Sequence, residues 1–341
     1  MTISSAPGKI ILFGEHAVVY GRPALAVPVT QVQATATVSA TSRTGIWIEA
    51  PDIGLASELS RLAPDHPLAA VINHVFSALP SPPSLSRSTL AGLPKREGCI
   101  ITITSTIPVA SGLGSGAAVS VAIIRALSAS LGQPLPDERV SALAYEVEKL
   151  HHGTPSGIDN TVVTYAKPVY FIRHPSHPGG GAGARAEQSR SGEVETFRVG
   201  APFTIVIGDT GLSAPTKESV SDVRTLWEAD QPRWEKAFNE VGDIVQKARR
   251  AIETGDITAL GPLMDENHKL LQEMTVSCLE LDRLVEAARK SGALGAKLSG
   301  GGRGGNIIAL VRPDKAEPVA AALMSAGAKR MLITTVKQTS D

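Results

Sequence analysis

A glycine-rich loop is the first segment of the chain that could do chemistry. Residues 112–117 spell GLGSGA; they follow a segment, 99–107, in which Ile and Thr alternate, and lead into an apolar helical segment that ends near Ser130. Glycines let backbone amides approach phosphate oxygens, and the dipole of the following helix favours negative charge. The order of strand, glycine loop and helix therefore predicts a phosphate-binding loop over 108–118, with close packing of the glycines as the alternative.

Other nucleotide motifs fit this loop less well. A Walker A loop needs Lys and then Ser or Thr after its second glycine, but the single Gly-Lys pair of the chain is followed by Ile10. Gly112, Gly114 and Ala117 do match a dinucleotide fingerprint, which also needs a second parallel strand ending in an acidic residue about 20 positions on. Here a proline-flanked turn and another helical segment follow, and the Ile/Thr alternation suits an antiparallel sheet. A nicotinamide-dependent oxidoreductase stays as a candidate of a different class, whereas no HRD, DFG or APE pattern of a protein kinase is present.

The composition narrows the function classes further. The chain has 341 residues, enough for about two domains. Its 33 Lys and Arg balance 33 Asp and Glu and only 4% of its residues are aromatic, so we expect neither nucleic acid nor a membrane as a partner. Two cysteines are too few for a disulfide framework or a zinc cluster. No charged leader with an apolar core opens the sequence, and Arg125 interrupts the longest apolar stretch, so we expect a cytoplasmic protein.

The elements that must position the loop can be predicted from periodicity. Residues 9–38 are rich in Ile, Val, Thr and Ala with rough period-two alternation, which predicts two or three strands. Residues 57–79 predict a helix that ends in a proline-rich turn. An acidic N-cap and apolar residues at helical spacing predict another helix over 137–151. Residues 153–160, GTPSGIDN, are typical of a loop, and a pair of short strands is predicted over 162–172.

The second half begins again with a strand and then becomes mostly helical. A strand over 203–208 and a polar loop over 209–217 are followed by predicted helices over 217–227, 234–255, 257–273 and 277–291. A glycine-rich segment, 292–305, then precedes a strand over 306–311, a helix, and a strand over 330–337. Because the helices run in blocks and do not alternate regularly with buried strands, the predicted fold class is α+β. Residues 174–193, rich in Gly, Pro, Ser, Arg and His, predict a mobile loop or a domain boundary.

Several segments in order resemble the GHMP kinase superfamily. They are SAPGKIILFGEHAVVYG at 5–21, the GLGSGA loop, GTPSGIDN, and GAKLSGGGRGG at 295–305, and their spacing matches over nearly the full chain. The resemblance implies an N-terminal domain of the ribosomal protein S5 domain 2-like type over 1–175, a boundary at 176–200 and a ferredoxin-like C-terminal domain over 201–341. It also implies ATP- and Mg²⁺-dependent phosphorylation of the primary hydroxyl of mevalonate, as in isoprenoid precursor synthesis.

The resemblance also implies roles for individual residues. Asp159 matches the catalytic carboxylate that accepts the proton of the substrate hydroxyl, and Lys9 matches the lysine that keeps it ionised and neutralises developing charge. Glu148, with Glu146 as a nearby alternative, and Ser115 match ligands of the metal. Substrate contacts fall on Glu15, His16, Thr216, Gly300 and Gly301. The ATP phosphates are expected on Pro108, Val109, Ala110, Ser111, Gly112, Leu113, Gly114, Ser115, Gly116, Ala117 and Ala118.

Departures from the family pattern keep some alternatives open. Gly116 stands where the family's loop usually has a second, metal-binding serine, and Arg303 and Asn306 stand where the C-terminal motif usually has glycine and cysteine. Other members of the superfamily act on phosphomevalonate, homoserine or sugars, or phosphorylate a tertiary hydroxyl as decarboxylase relatives do. A nucleotide-binding module without catalytic activity is a further alternative, and a homodimer is left open by the sequence.

Overall fold

The structure is a computed structural model that describes residues 1–79, 98–108, 111–152, 155, 157–173, 193–212 and 216–337. The predictions made for residues 80–97, 109–110, 153–154, 156, 174–192 and 213–215 lie outside the described residues. In the described part the chain forms two sheets, each covered by helices. None of these helices combines the length and the apolar character that a bilayer crossing requires.

The N-terminal half, defined here as the elements up to residue 199, is built on a seven-stranded sheet. Its strands are β1 (Thr2–Phe13), β2 (Pro23–Thr41), β3 (Ile46–Ala50), β4 (Leu55–Glu58), β5 (Gly98–Ser105), β6 (Val169–Ile172) and β7 (Glu193–Thr196). Its helices are α1 (Pro67–Ala78), α2 (Ser115–Ser130), α3 (Asp137–His152) and α4 (Ile158–Tyr165). Strand β2 is central because residues 34–38 pair with β1 on one side and with β5 on the other, which leaves β1 at an edge of the sheet.

Helix α2 lies at the centre of this half. It packs against β1 and β2 and contacts α1, α3 and α4. Its sequence is mostly Ala, Val, Ile and Ser, and its apolar side chains are nearly all buried. A helix with apolar residues all round needs neighbours all round, so α2 is fixed in place and its N-terminus, where the GLGSGA loop ends, is fixed with it.

The C-terminal half contains a four-stranded antiparallel sheet in the order β11-β8-β10-β9. The strands are β8 (Phe203–Asp209), β9 (Gly295–Ser299), β10 (Asn306–Val311) and β11 (Arg330–Val336). The helices are α5 (Thr216–Ala229), α6 (Gln231–Thr254), α7 (Leu260–Glu273), α8 (Leu279–Lys290) and α9 (Ala316–Ser325). Helices α7, α8 and α9 pack against this sheet, so every residue of β8, β9 and β10 is buried.

The predicted α+β class is confirmed, and most predicted elements are found. Two strands, β1 and β2, cover residues 9–38, and the long helices of the second half appear as α5 to α8 with ends shifted by a few residues. Strand β5 is antiparallel to β2, as its alternation predicted, although β3 runs parallel on its other side. The domain boundary itself stays a prediction.

Two element predictions are wrong. Only the later part of the helix predicted over 57–79 is helical, as α1. The residues before α1 form the end of β4 and a short turn. The strand pair predicted over 162–172 is helix α4 followed by the single strand β6. The β-branched residues Val162 and Val163 suggested a strand, but Gly157, at φ 92°, starts a helix that buries both of them with Ile158. Tertiary burial therefore overrides local propensity here.

Candidate active site

The GLGSGA loop lies against the free edge of β1. The backbone amide of Lys9 donates to the carbonyl oxygen of Leu113 at 2.9 Å, so the loop takes the place that a neighbouring strand would occupy. Gly112 and Gly114 have φ values of 75° and 73°, which favour glycine, and a Cβ on Gly114 would lie 2.8 Å from Cγ of Lys9. Gly114 is also the N-cap of α2. The predicted phosphate loop is thus a tight connection that aims a helix N-terminus beside Lys9.

Three charged side chains meet next to this loop, and each comes from a different element. Lys9 lies on β1, Asp159 in the first turn of α4, and Glu148 on α3. Lys9 Nζ is 2.9 Å from Oδ1 of Asp159, and Lys9 is buried whereas the Asp159 side chain is 24% exposed. The structure therefore brings together the lysine and the carboxylate that the sequence nominated as a pair.

Glu148 is buried, as Lys9 is. Burial and then the neighbouring carboxylate of Asp159 raise the pKa of Glu148 to about 8, while the charge of Lys9 opposes the rise. Glu146, the alternative considered from the sequence, lies on the solvent side of α3 and pairs with Lys149 at 2.6 Å. Of the two glutamates, only Glu148 faces Lys9 and Asp159.

The surroundings of Glu148 fit a magnesium ion. A Cβ on Gly116 would lie 3.6 Å from Oε1 of Glu148, so the first turn of α2, which includes Ser115, faces this carboxylate. The described residues contain no group of three or more His, Cys, Asp or Glu side chains suited to a metal. Mg²⁺ commonly uses one or two carboxylates together with phosphate oxygens and waters, so one buried carboxylate beside a phosphate loop suits it.

A second group of predicted residues lies in the turn after β1. Glu15 forms an ion pair with Lys297 of β9, and both side chains are almost completely buried. His16 has a φ of 60°, and its Nε2 is 3.1 Å from the carbonyl oxygen of Gly301. Because a carbonyl oxygen only accepts, Nε2 carries the proton and Nδ1 is an acceptor.

The His16 ring is neutral at physiological pH. Burial is the main reason that its pKa falls to about 4; the bond to Gly301 opposes the fall, and the charges of Arg303 and Lys297 reinforce it. No hydrogen-bond partner of Nδ1 lies in the described part of the chain. On this side of the site His16 therefore offers a buried acceptor.

The C-terminal glycine motif forms the loop between β9 and β10 and reaches back to the N-terminal half. Ser299 Oγ donates to the carbonyl oxygen of Ile11 at 2.8 Å. A Cβ on Gly301 would lie 2.9 Å from Oγ1 of Thr216, the exposed first residue of α5. Gly300 has a φ of 94° and open space beside it. The predicted substrate residues Thr216, Gly300 and Gly301 are therefore neighbours.

Both departures in this motif make contacts that the sequence did not suggest. Arg303, at φ 58°, forms a partly exposed ion pair with Asp222 of α5. Asn306 is buried, and its Nδ2 donates to the carbonyl oxygen of Ser111, the residue just before the GLGSGA loop. The start of β10 is thus joined directly to the phosphate-binding loop predicted over 108–118.

Lys297 is the residue of this site that the sequence interpretation missed. It stands in GAKLSG among small and apolar residues, on a strand whose every position is buried. A lysine in such a strand is rare unless a carboxylate is paired with it, and that rule could have singled it out. Nothing in the local sequence indicates that the partner is Glu15, 282 positions earlier.

Comparisons with known proteins give the family of the chain. The family model described as GHMP kinases N terminal domain matches residues 74–167, and that described as GHMP kinases C terminal matches residues 248–329. A mevalonate kinase of Pyrococcus abyssi is 38% identical over 99% of this chain and 96% of its own length. One of Thermococcus sibiricus is 38% identical over 95% of this chain and 93% of its own.

The similar solved structures also include mevalonate kinases. L. major mevalonate kinase in complex with R-mevalonate has a TM-score of 0.79 and 28% identity, covering 100% of this chain and 97% of that one. The chain therefore belongs to the GHMP kinase family, as its motifs indicated. Within that family it is similar, over almost its whole length, to the mevalonate kinases.

Proposed function

We propose that this enzyme transfers the γ-phosphate of ATP to the primary hydroxyl of mevalonate and forms 5-phosphomevalonate, a step of isoprenoid precursor synthesis. The observation that carries the proposal is the Lys9–Asp159 pair, which lies beside a glycine loop and the N-terminus of α2. Phosphoryl transfer depends mainly on positioning and on neutralising charge, and these groups supply both. The similarity to mevalonate kinases over nearly the full chain supports mevalonate as the acceptor.

The side chains divide the reaction between them. Asp159 accepts the proton of the attacking hydroxyl, and Lys9, 2.9 Å away, orients that carboxylate and lies where charge grows on the transferred group. Backbone amides of residues 111–118 bind the phosphates with the dipole of α2. Glu148 and Ser115 would hold Mg²⁺, which when bound neutralises phosphate charge.

The acceptor binds on the side of Glu15, His16 and the C-terminal glycine loop. The neutral His16 ring holds its Nε2 proton on the Gly301 carbonyl oxygen, so its Nδ1 accepts a hydrogen bond from a hydroxyl of the substrate. Thr216, at the start of α5 and next to Gly301, also contacts the substrate. The acceptor is thereby oriented with its primary hydroxyl toward Asp159.

A substrate panel tests the proposal. Purified enzyme with ATP and Mg²⁺ is given mevalonate, phosphomevalonate, homoserine, galactose or a diphosphorylated mevalonate, ADP release is measured, and the product is identified by ³¹P NMR. We expect turnover with mevalonate and a new phosphomonoester on its primary hydroxyl. Preference for another acceptor, or ATP binding without turnover on any of them, would refute the assignment.

The oxidoreductase candidate is tested in the same preparation. A dinucleotide fold requires a strand after the helix that follows the glycine loop, whereas here α2 is followed by the second helix α3. Quenching of the fluorescence of Trp47, Trp227 or Trp234 by ATP but not by NADH is the expected result. Quenching by NADH alone would favour the oxidoreductase.

A further inference from the structure

Lys297 is a completely buried cation for which the chemistry described so far has no use. Its Nζ donates to Oε1 of Glu15 and, at 2.6 Å, to the carbonyl oxygen of Leu298. Burial lowers the pKa of the Lys297 ammonium, and the Glu15 carboxylate counteracts that shift. Taking two charges out of water costs several kcal/mol, and apolar pairs of similar volume are often as stable or more so. Stability alone therefore does not account for this pair.

The pair belongs to a set of bonds that join the two halves of the molecule. Lys297 lies on β9, and Glu15 follows β1 directly. Two further bonds connect the same segments: Ser299 Oγ donates to the carbonyl oxygen of Ile11, and His16 Nε2 donates to the carbonyl oxygen of Gly301. Three alternate residues of the C-terminal half, Lys297, Ser299 and Gly301, thus hold the end of β1 and the turn that follows it.

The turn after β1 has an unfavourable backbone conformation, which contacts from the rest of the molecule must stabilise. His16 has a φ of 60°, a region that costs a side chain with a Cβ about 1 kcal/mol or more and that persists only where the surroundings enforce it. The conformation places the His16 ring under Gly301 and the Glu15 carboxylate on Lys297. The C-terminal half therefore determines the direction of both side chains.

Each of the two side chains leaves one buried acceptor free. Oε2 of Glu15 and Nδ1 of His16 have no hydrogen-bond partner among the described residues. With Oε1 bound to Lys297, the rotation of the Glu15 carboxyl group is fixed and Oε2 is the oxygen left for a ligand. The ammonium also cancels the negative charge of Glu15, which would otherwise repel an acceptor that carries its own carboxylate.

We propose that Lys297 is a positioning residue for the acceptor substrate: through Glu15 it sets the turn that carries His16 and neutralises that turn toward an anionic hydroxy acid. The inference rests on the proposed function, since it assigns Lys297 to the acceptor side of the same site. It predicts a defect in acceptor binding that leaves nucleotide binding intact, because Lys9, Asp159 and the GLGSGA loop lie in the N-terminal half.

The primary test is the Lys297→Met variant, assayed by steady-state kinetics with each substrate varied in turn. We expect the KM for mevalonate to rise at least about tenfold, kcat to change less, and the KM for ATP to stay within about twofold, the pattern of lost ground-state binding. The control is Arg22→Met, which removes the ion pair with Glu235 between the same two halves and should leave the KM for mevalonate near the wild-type value.

The Lys297→Met change leaves Glu15 as an unpaired buried charge, which could make the variant fold poorly. A second variant tests the inference in that case. In the double variant Lys297→Met/Glu15→Gln neither charge remains. We expect thermal stability to recover and the KM for mevalonate to stay raised, close to that of Glu15→Gln alone, because Lys297 acts through Glu15.

Distinct results would overturn the inference. It fails if the double variant regains the wild-type KM for mevalonate, if both KM values rise together in Lys297→Met, or if the effects of the two single changes add in full. Wild-type enzyme is assayed alongside: no turnover of mevalonate by the wild type would refute the proposed function, whereas normal wild-type turnover with an unaffected Lys297→Met refutes only the role of Lys297.

Discussion

The phosphate side and the acceptor side of this site are built in different ways. Lys9, Asp159, Glu148 and the GLGSGA loop all belong to the N-terminal half and hold one another there. The Glu15–His16 turn is also part of that half by sequence, but its side chains are bound by residues 297–301 of the C-terminal half. The phosphate side is therefore built mainly within one half, with Asn306 of β10 as a contact from the other, whereas the acceptor side forms only where both halves meet.

This difference predicts two kinds of kinetic effect for substitutions in the site. Changes on the phosphate side should lower kcat or the response to metal and leave acceptor binding alone. Changes on the acceptor side should raise the KM for mevalonate and leave ATP binding alone. The following variants test that division, beginning with the largest expected effect.

The Asp159→Asn change removes the carboxylate that is proposed to accept the proton of the substrate hydroxyl. We expect kcat to fall at least about a hundredfold, the lower range for a positioned acid–base group, with ATP affinity retained. Steady-state kinetics and nucleotide titration measure the two quantities. Asp137→Asn, which alters another ion-paired aspartate of the same half, is the matched control. Turnover close to wild type in Asp159→Asn would remove this carboxylate from the mechanism.

The Glu148→Gln change tests the magnesium ligand and its pH dependence. Because the pKa of Glu148 is raised to about 8, the free enzyme holds a proton there at pH 7, and Mg²⁺ must displace it. We therefore expect the Mg²⁺ affinity of the wild type in the presence of ATP to rise with pH, by up to about tenfold per unit, and to level off above pH 8.

Calorimetry in buffers of different ionisation enthalpy measures the released proton. In Glu148→Gln the affinity should be weaker and should not change with pH, and Glu146→Gln, on the outer face of α3, should match the wild type. An unchanged pH profile in Glu148→Gln would place the metal elsewhere.

The His16→Phe change tests the acceptor side. It removes the bond to the Gly301 carbonyl oxygen and the free Nδ1, a loss worth about 1–3 kcal/mol for a buried group. We expect the KM for mevalonate to rise about tenfold or more and the KM for ATP to stay unchanged. The reverse result, with ATP binding weakened, would break the division between the two sides.

The Asn306→Ala change removes the bond between the start of β10 and the phosphate-binding loop and should have the smallest effect. Loss of its hydrogen bond to the Ser111 carbonyl oxygen should raise the KM for ATP about fivefold, as expected for roughly 1 kcal/mol. Ser299→Ala, which removes the bond to Ile11 from the paired strand, should raise the KM for mevalonate instead. Identical effects of the two variants would show that the hairpin acts as one unit.

The same division explains what the sequence could predict. The phosphate loop follows from residues adjacent in the chain, since a strand, three glycines and an apolar helix are local features. Lys9, Asp159 and Glu148 were identified through motif resemblance, and the structure does place them together.

The acceptor side was less predictable because its contacts are long-range. A neutral His16 follows from burial under Gly301, and the partner of Glu15 is a lysine at the far end of the chain. Helix α4 was mistaken for strand for a related reason: burial of Val162 and Val163 outweighed their local preference.

The free edge of β1 has one more consequence. An unpaired strand edge offers its amides and carbonyls to any other extended chain, which makes it a starting point for aggregation. Here the carbonyl oxygen of Leu113 accepts from the Lys9 amide, and the Ser299 hydroxyl donates to the Ile11 carbonyl oxygen. The segments that form the site therefore also cover the edge of β1. Substitutions that loosen either loop should therefore lower the yield of soluble enzyme as well as its activity. A ligand that binds the folded site should reduce both losses.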